Sequence, residues 1–313
     1  MLIAITGANG FLGSYLSNYL EKQNFNIRRI QRNNNNKNSF LIKEINENTD
    51  WSKALKDVEI IIHCAGKAHI FNNSKAAIKS IYSTNLEGTK KLAKEASKIG
   101  VKKFIFISTA KVFGEKTNID MKFSLDSPLM PSDHYSRSKL EAEFELKEIS
   151  SKSSMSLIII RPPLIYGPGV KANFLKMMNY VYLGFPLPFG NIKNKRSIIF
   201  LGNLADFIGT CIKIKDLKKQ IFLPTDKNPL STPELIIKIG NSLKKKPKLI
   251  KIPKFLLLFL SHITLRKNMV EKLISSLNID STKSHNYIKW DPPFSTEEGL
   301  FLTAKWFIKE KHN

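Results

Sequence analysis

Three glycines separate a short apolar segment from an amphipathic one at the start of the chain. Residues 2–6 are mostly apolar and predict a buried strand, and residues 11–20 carry apolar side chains at helical spacing and predict a helix. Gly7, Gly10 and Gly13 lie between this strand and the first turn of the helix. In a dinucleotide-binding turn such glycines permit a tight bend, let the backbone approach a pyrophosphate, and let the helix pack closely on the strand. The spacing Gly-x-x-Gly-x-x-Gly departs from the simplest Gly-x-Gly-x-x-Gly pattern, so the prediction depends on the strand and helix around it.

Strand and helix patterns keep alternating up to about residue 163. Further strands are predicted at 26–30, 59–63, 103–107 and 157–160, helices at 51–55, 78–99 and 132–149, and a polar loop at 33–36. This alternation predicts an α/β fold, a Rossmann-type doubly wound parallel sheet. Beyond Pro162 the chain is richer in proline and glycine, and helices are predicted at 232–243, 254–261 and from residue 296.

The chain is strongly basic. Its 313 residues carry a net charge of +24, from 50 basic and 26 acidic residues, which invites a nucleic-acid or anionic-membrane interpretation. Only seven of the basic residues are arginine, the residue preferred for bidentate recognition of bases and phosphates, and the predicted strands lack interleaved aromatic and basic residues. A basic RNA-binding protein is therefore the weaker alternative, and attraction of anionic small molecules is favoured.

Cysteine and histidine usage gives no sign of a metal or disulfide framework. Cys64 and Cys211 are too few for either a disulfide scaffold or a four-thiolate zinc site, and both are predicted to be buried free thiols. No metal site is predicted, because these histidines lack metal-ligand spacing: His69, His262, His285 and His312.

Two segments bear on location. The N-terminus lacks the charged start and long apolar stretch of a signal peptide, so we expect a cytoplasmic protein. Residues 254–265 are apolar nearly all round, which favours a buried helix over an interfacial helix in weak contact with an anionic membrane.

The end of the second predicted strand indicates the type of dinucleotide. An acidic residue that binds the adenosine ribose is expected about 20 residues after the glycine turn. Residues 28–32 read Arg-Arg-Ile-Gln-Arg instead, with Gln31 and Arg32 at the end. An arginine accepts a 2′-phosphate that a carboxylate would repel, so NADP is slightly favoured over NAD. The alternative is that these arginines form a solvated strand end.

A tyrosine and a lysine four residues apart are the catalytic signal. Tyr135 and Lys139 fall on one face of the helix predicted at 132–149. An ammonium about 4 Å from a phenol, at an effective dielectric of about 20, favours the phenolate by about 4 kcal/mol. We therefore expect Lys139 to lower the pKa of Tyr135 from about 10 to near neutrality, which makes the phenol a general acid/base. Thr109 follows the strand predicted at 103–107 and reaches the same edge of the sheet.

These residues together resemble the extended short-chain dehydrogenase/reductase family, which includes the NAD-dependent epimerases and dehydratases. The resemblance extends to the segments at 63–66, 85–89 and 161–169 and covers essentially the whole chain. Within the family, the runs at 169–174 and 186–190 are similar to those of UDP-glucose 4-epimerase-like enzymes. That subgroup includes the bacterial reductases of UDP-4-keto-6-deoxy-N-acetylhexosamines.

The resemblance implies a role for each matching residue. Thr109 and Tyr135 would be catalytic at the 4-oxygen of the sugar, and Lys139 would bind the nicotinamide ribose and tune Tyr135. The implied cofactor-binding residues are Gly7, Asn9, Gly10, Phe11, Leu12, Gly13, Arg32, Glu44, Ala65, Gly66, Lys67, Asn85, Tyr135, Lys139 and Pro162. The implied substrate-binding residues are Lys67, Thr109, Lys111, Asn173 and Arg196, with Asn173 and Arg196 at the UDP diphosphate.

The implied activity is NAD(P)-dependent redox chemistry at C4 of a UDP-hexose, in nucleotide-sugar and surface-polysaccharide (O-antigen) biosynthesis. An epimerase re-reduces the 4-keto intermediate on its other face. The alternative is a 4-keto reductase, a UDP-N-acetylquinovosamine-type dehydrogenase that reduces an incoming keto sugar once. An alternative of another class, a non-catalytic dinucleotide-binding sensor, is disfavoured by the intact Thr109, Tyr135 and Lys139.

Three departures from the family pattern bear on the substrate. Gln31 replaces the usual ribose-binding acid, Leu164 replaces a substrate-binding asparagine, and Lys111 replaces a common threonine. They count against galactose-type epimerisation but not against redox chemistry at C4. We expect a dinucleotide-binding domain of residues 1–163 and 197–224, a UDP-sugar-binding domain of residues 164–196 and 225–313, and a homodimer.

Overall fold

The computed structural model describes residues 1–32, 39–68, 74–214, 217, 220–263 and 267–312. The polar loop predicted at 33–36 and His69 lie outside these residues, and so do the side chains of His262 and His312.

Seven parallel strands form the main sheet. This sheet holds β1 to β6 and β10, and the other described strands lie outside it. The bounds are β1 Leu2–Thr6, β2 Asn26–Gln31, β3 Ser39–Leu41, β4 Ile60–His63, β5 Lys103–Ile107, β6 Ser156–Ile160, β7 Leu164–Tyr166, β8 Pro186–Leu187, β9 Ile198–Phe200, β10 Gln220–Phe222 and β11 Lys248–Leu249. The sheet order is β10-β6-β5-β4-β1-β2-β3, and every pairing in it is parallel. The order reverses between β1 and β4, as in a doubly wound Rossmann sheet, so the predicted fold class is confirmed.

Helices cover this sheet and build the rest of the molecule. They are α1 Phe11–Lys22, α2 Lys75–Tyr82, α3 Gly88–Lys98, α4 His134–Ser151, α5 Ala172–Tyr182, α6 Leu201–Lys213, α7 Thr232–Ser242, α8 Lys254–Ile263, α9 Lys267–Ile274, α10 Thr282–Tyr287 and α11 Thr296–His312. A π-helical turn, Ser83–Glu87, joins α2 to α3, so the helix predicted at 78–99 has a local expansion within it. A 3₁₀ turn, Ala110–Phe113, follows β5.

The short helix predicted at 51–55 is wrong. The chain forms a turn there, with one bond from the Leu55 N–H to the Trp51 carbonyl at 2.9 Å. Asp50 Oδ1 accepts from the Ser52 N–H at 2.9 Å, which is an Asx turn. Such a side-chain bond competes with helical bonding, so Asp50 forms a turn and does not cap a helix.

Alternate residues of the central strands pack on opposite faces of the sheet. Ile105 and Ile107 join the core that α1 and α6 cover, whereas Phe104 and Phe106 join the core on the other face. Both sets are buried because helices lie on both sides. Because both faces are covered, the edge of the sheet is the part that can accept a ligand.

A second apolar core lies around α5, α7 and α11. Phe11, at the start of α1, packs against both this core and the first core of the sheet. Strands β7 and β9 pair with each other, and β8 pairs with β11. We retain the division of residues 1–163 and 197–224 from 164–196 and 225–313 as a proposal.

Helix α8 is not the buried helix that its composition favours. Phe255 and Phe259 are 74% and 63% exposed, whereas Leu257 is only 4% exposed and packs in the second core. A single turn separates the two phenylalanines, so they share the face opposite to Leu257. Among the described helices, none has the length and apolar character needed to cross a membrane.

Candidate active site

The glycine turn after β1 packs directly against the end of β4. Gly7 has φ +67°, and a Cβ there would lie 2.9 Å from Ala65 Cα. A Cβ at Gly13 would lie 2.2 Å from the Gly7 carbonyl oxygen. A side chain at either position would displace backbone, so the turn requires glycine and leaves a backbone-lined cradle at the sheet edge.

The start of α1 suits an anion. Its N-cap residue is Gly10, which has no side chain to accept from the first-turn N–H groups, and the first turn contains no acidic residue. Asn9 and Gly10 are exposed beside it, and Leu12 is buried beneath. Unfilled N–H donors and the helix dipole favour a phosphate at this position. The residues present therefore fit the pyrophosphate of a dinucleotide.

A buried histidine ties the strands beneath the cradle together. His63 Nδ1 is 2.6 Å from Thr6 Oγ1, and His63 Nε2 is 2.9 Å from Thr89 Oγ1. Burial, aided by the positive charge of Lys139, lowers the pKa of His63 to about 3. The imidazole is therefore neutral at physiological pH, and its two hydrogen bonds connect β4 to β1 and to α3.

Asn85, inside the π-helical turn, links the cradle to α4. Its Oδ1 accepts from the Lys67 N–H at 2.8 Å, and its Nδ2 donates to the Lys67 carbonyl at 3.1 Å. Nδ2 also donates to Ser138 Oγ at 3.0 Å, and Ser138 Oγ donates to the Tyr135 carbonyl at 2.8 Å. Asn85 thus fixes the segment after β4 relative to the turn of α4 that carries Tyr135.

Lys139 lies inside this frame. The side chain is 3% exposed, and Nζ lies 4.2 Å from the centre of the Phe106 ring. A Cβ added at Gly66 would lie 3.6 Å from Lys139 Nζ and 3.3 Å from Asn85 Oδ1, so the space above Gly66 is bounded by both residues. Burial lowers the pKa of Lys139 to about 8. The ammonium therefore faces the cradle that the glycine turn opens.

The expected pKa of Tyr135 is wrong for this geometry. Burial and, to a smaller extent, the negative charge of Asp133 raise the pKa of Tyr135 to about 12. The expected value required the Lys139 ammonium about 4 Å from the phenol. In the structure, Lys139 Nζ lies over the Phe106 ring, 4.2 Å from its centre. The phenol is protonated at neutral pH unless further positive charge is brought to it.

Thr109 is joined to the start of α4 through Lys111. Thr109, 8% exposed, caps the 3₁₀ turn after β5 and accepts from the Lys111 N–H at 3.3 Å. Lys111 Nζ donates to Asp133 Oδ2 at 2.8 Å and to Glu115 Oε1 at 3.0 Å. Asp133 in turn caps α4 by accepting from the Ser136 N–H at 2.7 Å, with its pKa lowered to about 2 by Lys111 and Ser136 despite its burial. These contacts join the turn that Thr109 caps to the N-terminus of α4, two residues before Tyr135.

A buried ion pair that the sequence did not reveal supports the same region. Arg161 Nε and Nη2 donate to the two oxygens of Glu143 at 3.0 and 2.6 Å, and Ser108 Oγ donates to Glu143 Oε1 at 2.5 Å. Both charged side chains are at most 1% exposed. Glu143 lies one helical turn after Lys139, and this spacing is the signal that could have suggested it.

Comparison with known proteins decides the family. The profile of the NAD dependent epimerase/dehydratase family matches residues 3–222. The chain belongs to this family. Membership confirms the resemblance seen in the sequence, and with it the expected class of NAD(P)-dependent enzyme.

Individual relatives agree along the whole chain. A UDP-glucose 4-epimerase of Vibrio cholerae is 36% identical over 313 residues, covering 98% of this chain and 95% of the relative. An N-acetyl-alpha-D-glucosaminyl-diphospho-ditrans,octacis-undecaprenol 4-epimerase of Escherichia coli O157:H7 is 27% identical, covering 99% of this chain and 96% of the relative. The crystal structure of UDP-glucuronic acid 4-epimerase from Bacillus cereus in complex with NAD has a TM-score of 0.80 at 21% identity, covering 99% of both chains, and shows the shared fold.

In this epimerase/dehydratase family member, the last residue of β2 is a buried amide. Gln31 is 5% exposed, and its Nε2 has no hydrogen-bond partner among the described residues. A buried donor without a partner is costly, so this amide is suited to a polar group brought by a ligand. Arg32 and Glu44 are exposed nearby in sequence, and Pro162 is buried, its carbonyl accepting from the Ala110 N–H at 2.9 Å.

The residues expected to bind the UDP diphosphate are less closely connected to the residues around Tyr135. Asn173 is exposed at the start of α5 and, within the described part of the chain, makes no polar contact with the residues around Tyr135. Arg196 Nη1 donates to the carbonyls of Lys272 and Ser275 at 2.7 and 3.0 Å. Burial lowers the pKa of Arg196, and the negative charge of Glu115 opposes that shift.

No group of three or more potential metal ligands occurs among the residues that the structure describes. Both cysteines are free, and burial raises the pKa of Cys64 and of Cys211 to about 12.

Proposed function

We propose that this protein catalyses NAD(P)-dependent epimerisation at C4 of a UDP-hexose. The observation that carries the proposal is the Lys111–Asp133 ion pair, which ties the turn capped by Thr109 to the helix cap two residues before Tyr135. We infer that these two hydroxyls reach one sugar oxygen beside the cradle that suits a dinucleotide. The full-length similarity to a UDP-glucose 4-epimerase supports the same substrate class.

The cofactor would lie along the carboxyl edge of the sheet. The N-terminus of α1 would hold the pyrophosphate, Gln31 would meet the adenosine ribose, and Lys139 would meet the nicotinamide ribose. When bound, the oxidised nicotinamide supplies the acceptor for the C4 hydride and a positive charge beside the tyrosine.

Tyr135 would carry the proton. As the C4–H and O–H bonds of the sugar alcohol break and a C4=O bond forms, Tyr135, as the phenolate, would take the hydroxyl proton on Oη, and the bound cofactor would accept the hydride. Thr109 would donate a hydrogen bond to the same oxygen and hold it in place. When the hydride is given back to the opposite face of C4, Tyr135 would return the proton to the oxygen, which would complete the inversion.

The high pKa of Tyr135 in this structure makes added charge a requirement. A phenol with a pKa of about 12 is a poor base at pH 7. The Lys139 ammonium and the positive charge that accompanies the oxidised cofactor would both favour the phenolate. The Tyr135 phenolate would therefore form only when the oxidised cofactor is bound, and Tyr135 would stay protonated in the free enzyme.

A second candidate is a reductase of a UDP-4-keto-6-deoxy-N-acetylhexosamine. The buried, unpartnered amide of Gln31 favours it, because an amide does not repel the 2′-phosphate of an exchangeable NADPH. In that reaction Tyr135 would donate its proton to the 4-keto oxygen once, and the oxidised cofactor would leave.

The test is incubation of the purified protein with a panel of UDP-hexoses and both oxidised nicotinamides, with products identified by mass and NMR. Inversion at C4 without net cofactor reduction supports the epimerase. Consumption of NADPH only with a 4-keto sugar supports the reductase. Dinucleotide binding with no turnover of any sugar would contradict both and favour a sensor.

A further inference from the structure

An exposed apolar surface lies around α8. Phe255, Leu256 and Phe259 are 74%, 38% and 63% exposed and share one face of the helix. Leu257, 4% exposed, holds the opposite face in the second core. Three large apolar side chains on a single anchored helix are costly in water unless something covers them.

The neighbouring β8–β11 ladder continues this surface. Lys248 pairs with Pro186, and the Ile250 N–H donates to the Leu187 carbonyl at 2.9 Å. The residues at the ends of the ladder, Phe185 and Ile250, are 52% and 46% exposed. Ile250 precedes the first residue of α8 by four positions, so the end of the ladder leads directly into the helix.

The same stretch is rich in lysine and free of acid. Residues 235–259 contain no aspartate or glutamate. Its exposed lysines are Lys244, Lys245, Lys246, Lys248, Lys251 and Lys254, and none of these forms an ion pair with a described residue. Lys245 Nζ lies 5.4 Å from the centre of the Tyr182 ring, which places this charge at the end of α5, next to the ladder.

We propose that this surface docks the protein on an anionic lipid bilayer. The Phe255 surface is defined here as Phe185, Ile250, Phe255, Leu256 and Phe259 with the six exposed lysines around them. Aromatic and aliphatic side chains on one face, flanked by lysines, are the pattern of segments that lie in the headgroup region. The charge of the surface matches a negative bilayer, whose attraction amounts to about fivefold in binding per lysine.

A second copy of the chain is a poorer occupant. A two-fold contact places the same surface against itself, so the six lysines would face six more with no carboxylate from residues 235–259 to compensate them. A bilayer meets the apolar residues and the lysines at the same time.

The test is sedimentation of the full chain with vesicles, which requires no substrate or turnover. Vesicles of phosphatidylcholine alone are compared with vesicles containing about a third phosphatidylglycerol. We expect binding to the anionic vesicles only, weakening as salt is raised. Changing Lys244, Lys245 and Lys246 together to Gln should weaken it about a hundredfold.

Apolar insertion is tested separately. The double variant Phe255→Ser/Phe259→Ser should bind anionic vesicles at least tenfold more weakly. The matched control is Phe144→Ser on α4, because Phe144 is 53% exposed in the cofactor half of the molecule and should bind as the unchanged protein does. Tryptophan fluorescence of Phe255→Trp should shift to shorter wavelength on anionic vesicles.

Each contrary outcome overturns the proposal. Absence of vesicle binding by the unchanged chain would do so directly. Equal binding by the double serine variant would leave a general charge effect without docking by α8. A dimer in solution that Phe255→Ser/Phe259→Ser dissociates would make the Phe255 surface a contact between copies of the chain. None of these results affects the proposed chemistry at C4, which is measured in the absence of lipid.

Discussion

The cofactor side and the substrate side of the site are built differently. On the cofactor side, His63, Asn85 and Lys139 are almost fully buried, and side-chain hydrogen bonds or ring contacts hold each in place. On the substrate side, Asn173 is exposed and Arg196 is bound to main-chain carbonyls. The first set consists of buried side chains with several contacts each, whereas the second combines an exposed side chain with one that the main chain holds.

This difference explains which parts of the site can be predicted from the sequence. A buried frame tolerates few residue types, because each unsatisfied polar group or misplaced Cβ is costly. Its motifs are therefore legible in a single sequence. Exposed positions that meet a ligand accept many side chains, so the class of cofactor is readable and the individual sugar is not.

The largest effect is expected on the buried side. Tyr135→Phe removes one oxygen, and if its phenol carries the C4 proton, turnover should fall by about 10²–10⁴. Cofactor affinity should stay within twofold, because Lys139 and the glycine turn are unchanged. Single-turnover hydride transfer, followed at the nicotinamide absorbance, measures both. The control is Tyr82→Phe, whose ring packs edge-on against His134, and near-normal turnover of Tyr135→Phe would show that the proton comes from elsewhere.

Lys139→Met tests the buried frame through stability. Because the pKa of Lys139 is lowered from 10.5 to about 8, the folded chain binds fewer protons than the unfolded chain between these pH values. The free energy of unfolding should therefore rise with pH across this window, and below pH 8 the buried charge costs about 3 kcal/mol. Lys139→Met should remove that cost at pH 7 and abolish the rise, while losing turnover.

Urea unfolding at pH 7 and pH 10 measures the effect of Lys139→Met. Lys98→Met is the control, since the Lys98 side chain is 72% exposed. A Lys139→Met protein less stable than the original at pH 7 would mean that the ammonium stabilises the fold, and the assigned pKa direction would be wrong.

The variant Arg196→Ala tests whether the proposed substrate side binds UDP. If Arg196 holds the UDP diphosphate, the loss of a charge-assisted hydrogen bond of about 1.5–3 kcal/mol should weaken UDP binding about ten- to a hundredfold. Calorimetric titration with UDP measures it, with the exposed Arg137→Ala as control. Unchanged UDP affinity with a lower melting temperature would make Arg196 a purely structural residue and widen the contrast between the two sides.

Gln31→Asp is expected to have the smallest effect. A carboxylate there would accept from a ribose hydroxyl and repel a 2′-phosphate, so preference should move from NADPH toward NADH by about tenfold. Direct titration of the apo-protein with each dinucleotide decides it, and Arg32→Ala should weaken NADPH alone. A strong preference of the unchanged chain for NADH, insensitive to Arg32→Ala, would contradict the NADP assignment.

The local patterns of the sequence predict most of the sheet correctly. The strand at 103–107 and the helix at 132–149 follow from short-range patterns, and the structure has them as Lys103–Ile107 and His134–Ser151. The exposure of Phe255 does not follow from composition, because it depends on which face of α8 the second core covers.

Long-range contacts are the other limit. The pKa of Tyr135 depends on where Lys139 Nζ lies, and a spacing of four residues does not determine whether it lies near the phenol or on the Phe106 ring. The Glu143–Arg161 pair joins residues from a helix and a strand end 18 positions apart. Pairing of this kind is determined by tertiary packing.

The most direct test of the central claim is the fate of the hydrogen at C4. Each UDP-hexose of the substrate panel, carrying deuterium at C4, is incubated with the enzyme and NAD(P), and the product is examined by NMR and mass spectrometry. If hydride leaves C4 and returns to its other face, the product is the C4 epimer with the deuterium still at C4, and Tyr135→Phe forms it about 10²–10⁴ times more slowly. Absence of inversion at C4, or replacement of the deuterium by solvent hydrogen, would contradict the account.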